Sequence, residues 1–192
     1  MANKVEFGIS NLYVGTYTVG SGGSVTMGTP YHQAGAVSFS PEEQSESNTF
    51  YADNVAYATF AANAGYEGTL EIALISDDFR KDILGEVVDS DIQIEKASST
   101  THPFALLFQF EGDDTATKHV IYKCSATRPS IAGQTTEEEI EPQTETLTIT
   151  AGSIHNATVN KDIVKARCAS GDDAYSGWFS AVWQPGSPST TT

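Results

Sequence analysis

Between Lys4 and Arg80 the chain has no lysine and no arginine, and a second base-free run lies between Arg128 and Lys161. The first run carries Glu42, Glu43, Glu46 and Asp53; the second carries Glu137, Glu138, Glu139, Glu141 and Glu145. Nucleic-acid binding needs Lys or Arg to displace counterions, so neither run can grip DNA or RNA. Cysteine is also scarce. Cys124 and Cys168 offer neither a metal-ligand spacing nor a disulfide framework. Cys124 alternates with Val120 and Tyr122 and reads as a buried thiol. No apolar run approaches the roughly 18 residues of a membrane helix. The opening Met-Ala-Asn-Lys-Val-Glu-Phe has no apolar signal-peptide core, so the expectation is a protein made and kept in the cytosol.

Catalytic signatures are missing too. His32, His102, His119 and His155 are far apart, and none sits in a metal-ligand motif. Asp113-Asp114 and Asp172-Asp173 lack the repeated spacing of a calcium loop and read as turns. Glu137-Glu138-Glu139 is a run of neighbours, whereas a glycosidase pair needs two carboxyls held apart by rigid elements. There is no phosphate loop, nucleophile elbow or dinucleotide fingerprint. No cofactor is implied, and enzyme activity has no positive support. Asn156-Ala157-Thr158 matches a glycosylation sequon and is read as chance.

What is present suits one soluble domain. The chain has 192 residues, 39% of them hydrophobic, and a formal net charge of −15, enough for one core. That charge opposes unassisted binding to polyanions and anionic membranes. Residues 1–184 read as a single domain and 185–192 as a disordered tail, since Gln184 onward has no apolar content.

The pattern is mainly β. Leu12 to Val19 alternates as a strand. Ala36 to Phe39 is strand-like and ends at Pro41; the polar stretch Glu42 to Asn48 leads to a second strand at Thr49–Ala52. That predicts a long hairpin with a polar tip. Thr69 to Ile75 is a clearer strand, with Leu70, Ile72 and Leu74 on one face. A short helix follows. Ser76 or Asp77 can cap it, Asp77 and Asp78 suit its positive end, Phe79, Ile83, Leu84 and Val87 form its stripe, and Gly85 can end it. Phe104 to Phe110 reads as a buried strand, His119 to Thr127 as its partner ended by Arg128-Pro129, Thr146 to Thr150 as another, and Trp178 to Trp183 as the last. The predicted core is Leu12, Leu70, Ile72, Leu74, Phe79, Ile83, Phe104, Leu106, Phe108, Leu147 and Ile149.

Several segments together resemble the major tail tube proteins of siphophages, phages with long non-contractile tails. They are Phe7-Gly8-Ile9-Ser10-Asn11-Leu12-Tyr13, Phe50-Tyr51-Ala52-Asp53-Asn54, Gly65-Tyr66-Glu67-Gly68-Thr69-Leu70-Glu71, Ile83-Leu84-Gly85, Phe104-Ala105-Leu106-Leu107-Phe108 and the strand from Tyr122 to Arg128-Pro129. Each piece alone is weak; their order and spacing over about residues 5 to 150 carry the likeness, which is poorer beyond Thr150. The resemblance implies a β-sandwich or barrel core flanked by one short helix. Long hairpins from six subunits would close a shared inner β-barrel, and stacked rings would form a hollow conduit for DNA ejection. It implies a structural protein of the virion tail, assembled in the host cytoplasm. Its partners would be its own copies, tape measure and tail-terminator or tail-tip proteins, and double-stranded DNA in transit, with no membrane.

In that setting Ala36–Asp53 and Ile131–Thr150 would supply the barrel wall. Glu42, Glu43, Glu46, Glu137, Glu138, Glu139, Glu141 and Glu145 would be the candidates for a negative lumen, of which strand alternation lets about half point inward. The plain alternative is that acidic loops keep a soluble domain soluble. A different function, a β-sandwich module for carbohydrate binding or host adhesion, would use Trp178, Trp183 and exposed tyrosines to stack on sugars; an acidic hydrolase is a third.

Overall fold

In the computed structural model the described residues are 7–20, 25–112, 115–130, 133 and 142–186, with backbone only for 7, 46–48, 50, 52 and 58–62. The strands are β1 (Phe7–Val19), β2 (Val25–Met27), β3 (Tyr31–His32), β4 (Ala36–Ala52), β5 (Val55–Ile72), β6 (Val87–Asp89), β7 (Ile92–Ile94), β8 (Phe104–Glu111), β9 (Lys118–Ala126), β10 (Glu145–Ala151), β11 (Ile154–Asn156), β12 (Lys161–Ile163) and β13 (Lys165–Cys168), with one helix, α1 (Asp77–Asp82). The main sheet is antiparallel in the order β2-β1-β8-β9-β10-β5-β4; β3 adds to β1 and β13 to β9. β6–β7 and β11–β12 are separate small hairpins. The path is open, ending at β2 and β4, so the described strands form no closed barrel; β1 approaches β4 across the core and the packing is sandwich-like.

The apolar run of β8 explains the layering. Phe104, Leu106 and Phe108 enter one core cluster, with Leu12, Val14, Phe39, Leu70, Ile72, Ile121, Leu147 and Ile149. Ala105 and Leu107 enter a second on the other face, with Tyr17, Val120, Tyr122, Ile154, Trp178 and Val182. A strand buried on both faces needs no polar alternation, hence its continuous hydrophobicity. α1 closes the first cluster with Phe79, whose ring meets Phe104 edge-on at 5.5 Å. The segment after β10 covers the second: the Tyr122 hydroxyl donates to the Trp183 carbonyl at 2.6 Å, and the Trp178 indole to the His119 carbonyl at 3.3 Å.

Four expectations change. The predicted tip at Glu42–Asn48 lies inside β4, which runs unbroken to Ala52. The turn is Asp53–Asn54, both at positive φ (51° and 63°), the geometry of a two-residue type I′ hairpin. Glu42, Glu43, Gln44 and Ser45 are all exposed, so this part of the strand needs no apolar alternation, and an edge strand tolerates Pro41. Second, Leu74 is 70% exposed. β5 ends at Ile72, the Ala73 amide bonds the Gly35 carbonyl, and the alternation breaks so that Ile75 enters the core instead. Third, α1 is one short segment: Ser76 caps it, its hydroxyl accepting from the Phe79 amide, and it ends at Asp82 with Gly85 just beyond at the expected positive φ of 71°, but Val87 of the predicted stripe belongs to β6. Fourth, Trp178–Trp183 is a series of turns, with the Ser180 and Ala181 amides both bonding the Gly177 carbonyl. Trp178 and Val182, four apart, both pack into the second cluster, which is a helical-turn spacing and not an alternating one.

The other predicted core residues are buried, and both cysteines are free and buried. Asn156 is buried as well. Its amide donates to the Pro185 carbonyl, and its oxygen accepts from the Thr158 and Val159 amides. Residues 187–192 of the predicted tail lie outside the described residues.

Truncating Phe79 to Ala should cost about 3–5 kcal/mol in urea unfolding, because a fully buried ring leaves a cavity under the sheet. Desolvation by burial pushes the Cys124 thiol up to about 12. A folded state that holds this proton should lose stability as pH rises above the unfolded thiol's value of about 8.5. Thiol titration at pH 8 should find Cys124 unreactive until urea is added.

Candidate assembly surface

β4 and β5 pair along their whole length, from Ala36 opposite Ile72 to Ala52 opposite Val55. β10 accompanies β5 only from Ile72 to Tyr66. Beyond that point the hairpin continues as a two-stranded arm. β5 runs about eleven residues, roughly 35 Å, past its last partner in β10. Along the described pairings, the outer edge of β4 and the distal edge of β5 join no third strand. An isolated two-stranded ribbon is marginal in water, and open edges template pairing with another chain.

The arm leaves the sheet at an irregularity. Gln44 opposes Gly65 and Ser45 opposes Asn63, so Ala64 is an extra residue in β5, the count of a β-bulge, which bends a strand. The Asn63 side-chain oxygen accepts from the Gly65 amide at 2.9 Å. At Gly68 the two strands approach so closely that a Cβ would strike the Ser40 carbonyl and lie 2.7 Å from the Pro41 Cα.

Alternation sorts the side chains of the sheet beneath the arm. Leu70, Ile72, Leu147 and Ile149 point into the core. Their neighbours Glu67, Thr69, Glu71, Thr146, Thr148 and Thr150 therefore lie on the outer face. Register builds these into rows across β9, β10, β5 and β4. Ser125 faces Thr150, Thr150 faces Glu67, and Glu67 faces Glu42; Thr148 faces Thr69, which faces Ser40; Thr146 faces Glu71, which faces Ser38. The Glu71 carboxylate is held on both sides, by the Ser38 hydroxyl at 3.1 Å and the Thr144 hydroxyl at 2.6 Å. This outer face is hydroxyl and carboxylate. Glu42 and Glu67 stand directly opposite each other, a like-charge pair that costs stability. Lys123, exposed at a positive-φ position of β9, stands two residues from Ser125.

The predicted acidic residues separate on this framework. Glu42 lies on the outer face. Glu43, opposite Tyr66, lies on the other, because Tyr66 packs against the core. Glu46 opposes Ala62 in the arm by backbone register. Glu145 works inside the subunit. At the start of β10 it pairs with Arg80 and accepts from the Ile75 amide at 2.7 Å, tying α1 to the sheet. Glu137, Glu138, Glu139 and Glu141 lie outside the described residues, as does most of the predicted wall segment before Pro142. Sequence reading missed Glu67, Glu71 and the threonine rows. The alternation Thr146-Leu147-Thr148-Ile149-Thr150 was the available signal.

Trp178, a candidate sugar platform, is 2% exposed, and Trp183 stacks on it at 6.0 Å between centroids. Among the described residues no group of three or more His, Cys, Asp or Glu is placed to hold a metal ion, and no helix is long and apolar enough to cross a membrane.

No protein-family model and no curated protein matches the chain. Among solved structures it is similar to a chain in the 6-fold symmetrised cryo-EM structure of the anti-feeding prophage baseplate. The identity is 10%, over 84% of this chain and 95% of that one, with a TM-score of 0.41. A likeness of that degree carries no functional argument.

The two kinds of glutamate should differ in stability tests. Glu145→Ala strips Arg80 and the Ile75 amide of a partner and should cost about 1–3 kcal/mol in urea unfolding. Glu42→Ala, on an exposed position, should fall within about 0.5 kcal/mol of the parent.

Proposed function

We propose that this chain is a structural subunit of a phage tail tube, without catalytic activity, that assembles with its own copies as stacked hexameric rings around a DNA conduit. The observation that carries the reading is the β4–β5 arm: a long ribbon with open edges, joined to a sheet whose outer face is hydroxyl and glutamate. The sequence resemblance supplies the family. Lateral pairing of arms and sheets between copies would satisfy the open edges, and a head-to-tail contact of this kind closes into a ring when the rotation allows.

The dimensions agree. β9, β10, β5 and β4 share the outer face. Four strands from each of six copies, spaced about 4.8 Å, give a circumference of roughly 115 Å and a width of about 37 Å before tilt. Duplex DNA fits such a bore with water around it. Charge repulsion reaches only about 8 Å at physiological salt, so a wall of glutamate and hydroxyls prevents adhesion without blocking passage. Tape measure and tail-terminator or tail-tip proteins follow as partners from the same reading, as does a place in the virion tail.

Negative-stain microscopy and sedimentation of the concentrated protein should show rings or tubes, and β4 amides should become protected from hydrogen exchange on assembly. Persistent monomers would sink the reading. The double substitution Glu42→Lys with Glu67→Lys removes the facing carboxylates and should give tubes that retain duplex DNA, released as salt rises. Parent tubes should bind none at physiological salt; tight binding by them would defeat the sliding-surface role while leaving the tube itself standing.

A further inference from the structure

β9 carries two strands end to end on one of its edges. β8 takes the other edge, pairing with β9 from Cys124 to Lys118. β10 pairs with β9 at Ala126–Cys124 and β13 pairs with it at Ile121–Lys118, so β13 continues the line of β10. β5 lies next to β10 as far as Tyr66. Beyond that point, among the described pairings, it runs past β13 without joining it. The two strands bound an open fork, at whose root the Lys165 ammonium stands 4.8 Å from the centroid of the Tyr66 ring.

The fork has the geometry of a missing ladder. β10 and β13 both run antiparallel to β9, and β5 runs antiparallel to β10, so β5 and β13 are antiparallel to each other. The Tyr122 amide donates to the Val164 carbonyl at 2.9 Å. By alternation the backbone groups of Lys165 and Arg167 point away from β9, into the fork. The register follows from the neighbouring ladders. Cys124 faces Ala151, which faces Tyr66. From Cys124 to Ile121 β9 advances three residues while β8 advances two, Phe104 to Leu106. Lys165, opposite Ile121, therefore stands two positions beyond Ala151. Two positions beyond Tyr66 is Ala64, and Arg167 then matches Ala62. The arm bends at this same point. Ala64 is the extra residue of the bulge, and Gly65 beside it has φ +132°, with no room for a Cβ against the Ala151 carbonyl.

We propose that the arm is a strap with two positions, and that in the free subunit residues 61–64 of β5 close onto β13 of the same chain. The closed form withholds that edge of the arm from other copies, which makes it an autoinhibited subunit. The inference rests on the tube reading above. The chain's own arm fits the fork better than a foreign strand. It is already tied at Tyr66–Ala151, one strand spacing from the line of β13, and has only to lose its bend. A third strand stabilises a two-stranded ribbon that is marginal alone. Assembly offers the same edge an equivalent partner, so the two positions differ little in energy and neighbouring copies can shift the balance between them.

The test uses the full-length chain. Arg167→Pro removes one amide donor from the open edge and leaves the β9 ladder intact, as an edge strand tolerates proline where its N–H faces solvent. With circular dichroism matching the parent, hydrogen exchange at residues 61–64 of the variant monomer should quicken by about ten-fold or more. Rings or tubes should also appear after a shorter lag. Unchanged exchange overturns the inference, and so does an unchanged or longer lag. A second variant covers the case in which the proline unfolds the chain. Ala62→Cys with Arg167→Cys places two thiols at matched positions, while Cys124 and Cys168 are buried. Mild oxidation of the monomer should form an intramolecular disulfide, and the locked chain should stay monomeric until dithiothreitol releases it. Failure to form the disulfide overturns the closed form; a locked chain that assembles at the parental rate overturns its inhibitory role. If the disulfide forms but the parent chain makes neither rings nor tubes, the tube reading fails and the inhibitory role fails with it.

Discussion

Every backbone N–H and C=O on the outer edges of the β4–β5 arm must bond either water or another strand, and the rest of the molecule is arranged around that demand. In the monomer water can serve, because the edges are exposed and flanked by Glu42, Glu43, Gln44 and Ser45. Water leaves the ribbon without a third strand, and ordering each residue costs about 1–2 kcal/mol of conformational entropy. A neighbouring strand would restore the hydrogen bonds with less freedom left to lose. Charged residues and a proline on such an edge discourage indiscriminate pairing, so Pro41, Glu42 and Glu43 would make the register of any partner strand selective.

The arm can be long because its root is rigid. Gln33 binds four groups at the place where β5 turns into α1: its amide donates to the Ala34 and Leu74 carbonyls, and its oxygen accepts from the Ser76 amide and hydroxyl. Glu145 adds Arg80 and the Ile75 amide, and Arg128 reaches the Leu84 and Ser99 carbonyls beyond the helix. All of these contacts except the Gln33–Ala34 bond join segments distant in sequence. Together with Phe39 edge-on to Phe108 at 5.2 Å, they hold the proximal part of β4 and β5 against the core. Deviation at the root would be multiplied along some 35 Å of ribbon, so a surface that has to meet another copy in register needs these contacts at its base.

Legibility in the sequence followed burial. Phe104–Phe110, Leu147 with Ile149, and the Phe79–Ile83 stripe sit against apolar partners, and their periodicity placed them correctly. Ser76 and Gly85 were readable because capping and positive φ are local chemistry. The arm was half-readable: its base-free polar composition marked it as exceptional, but residues 42–48 looked like a loop because polarity was the only cue. Nothing in Glu-Glu-Gln-Ser-Glu-Ser-Asn announces a strand, since none of the seven is apolar, and the true turn, Asp53–Asn54, sits between residues that read as a strand end. Leu74 and the Trp178–Trp183 turns failed for a related reason. Alternation holds only while the backbone stays extended, and a bond such as Ala73 to Gly35, which breaks it, is invisible in one dimension. Glu145 could not be separated from its acidic neighbours without knowing that Arg80 stands beside it.

The pairing of Glu42 with Glu67 on adjacent strands argues that this face is shaped for something other than stability. Directly opposed like charges cost a few tenths of a kcal/mol or more, and a lysine at either position would turn the repulsion into an attraction. The neighbouring rows have uncharged solutions ready to hand, since Thr148 faces Thr69 and Thr69 faces Ser40. The hydroxyl-bound Glu71 shows that a carboxylate can be kept here without a cation when Ser38 and Thr144 solvate it. A surface that must never adhere to a polyanion has to avoid lysine and arginine more strictly than it has to avoid local strain. If copies line a bore as proposed, each repelling pair would recur with every copy, and a small cost per subunit would add up to a negative potential along it. On the proposed function, the missing bases of the first run and the unfavourable glutamate pair would be two consequences of one requirement, with Lys123 on β9 the exposed exception.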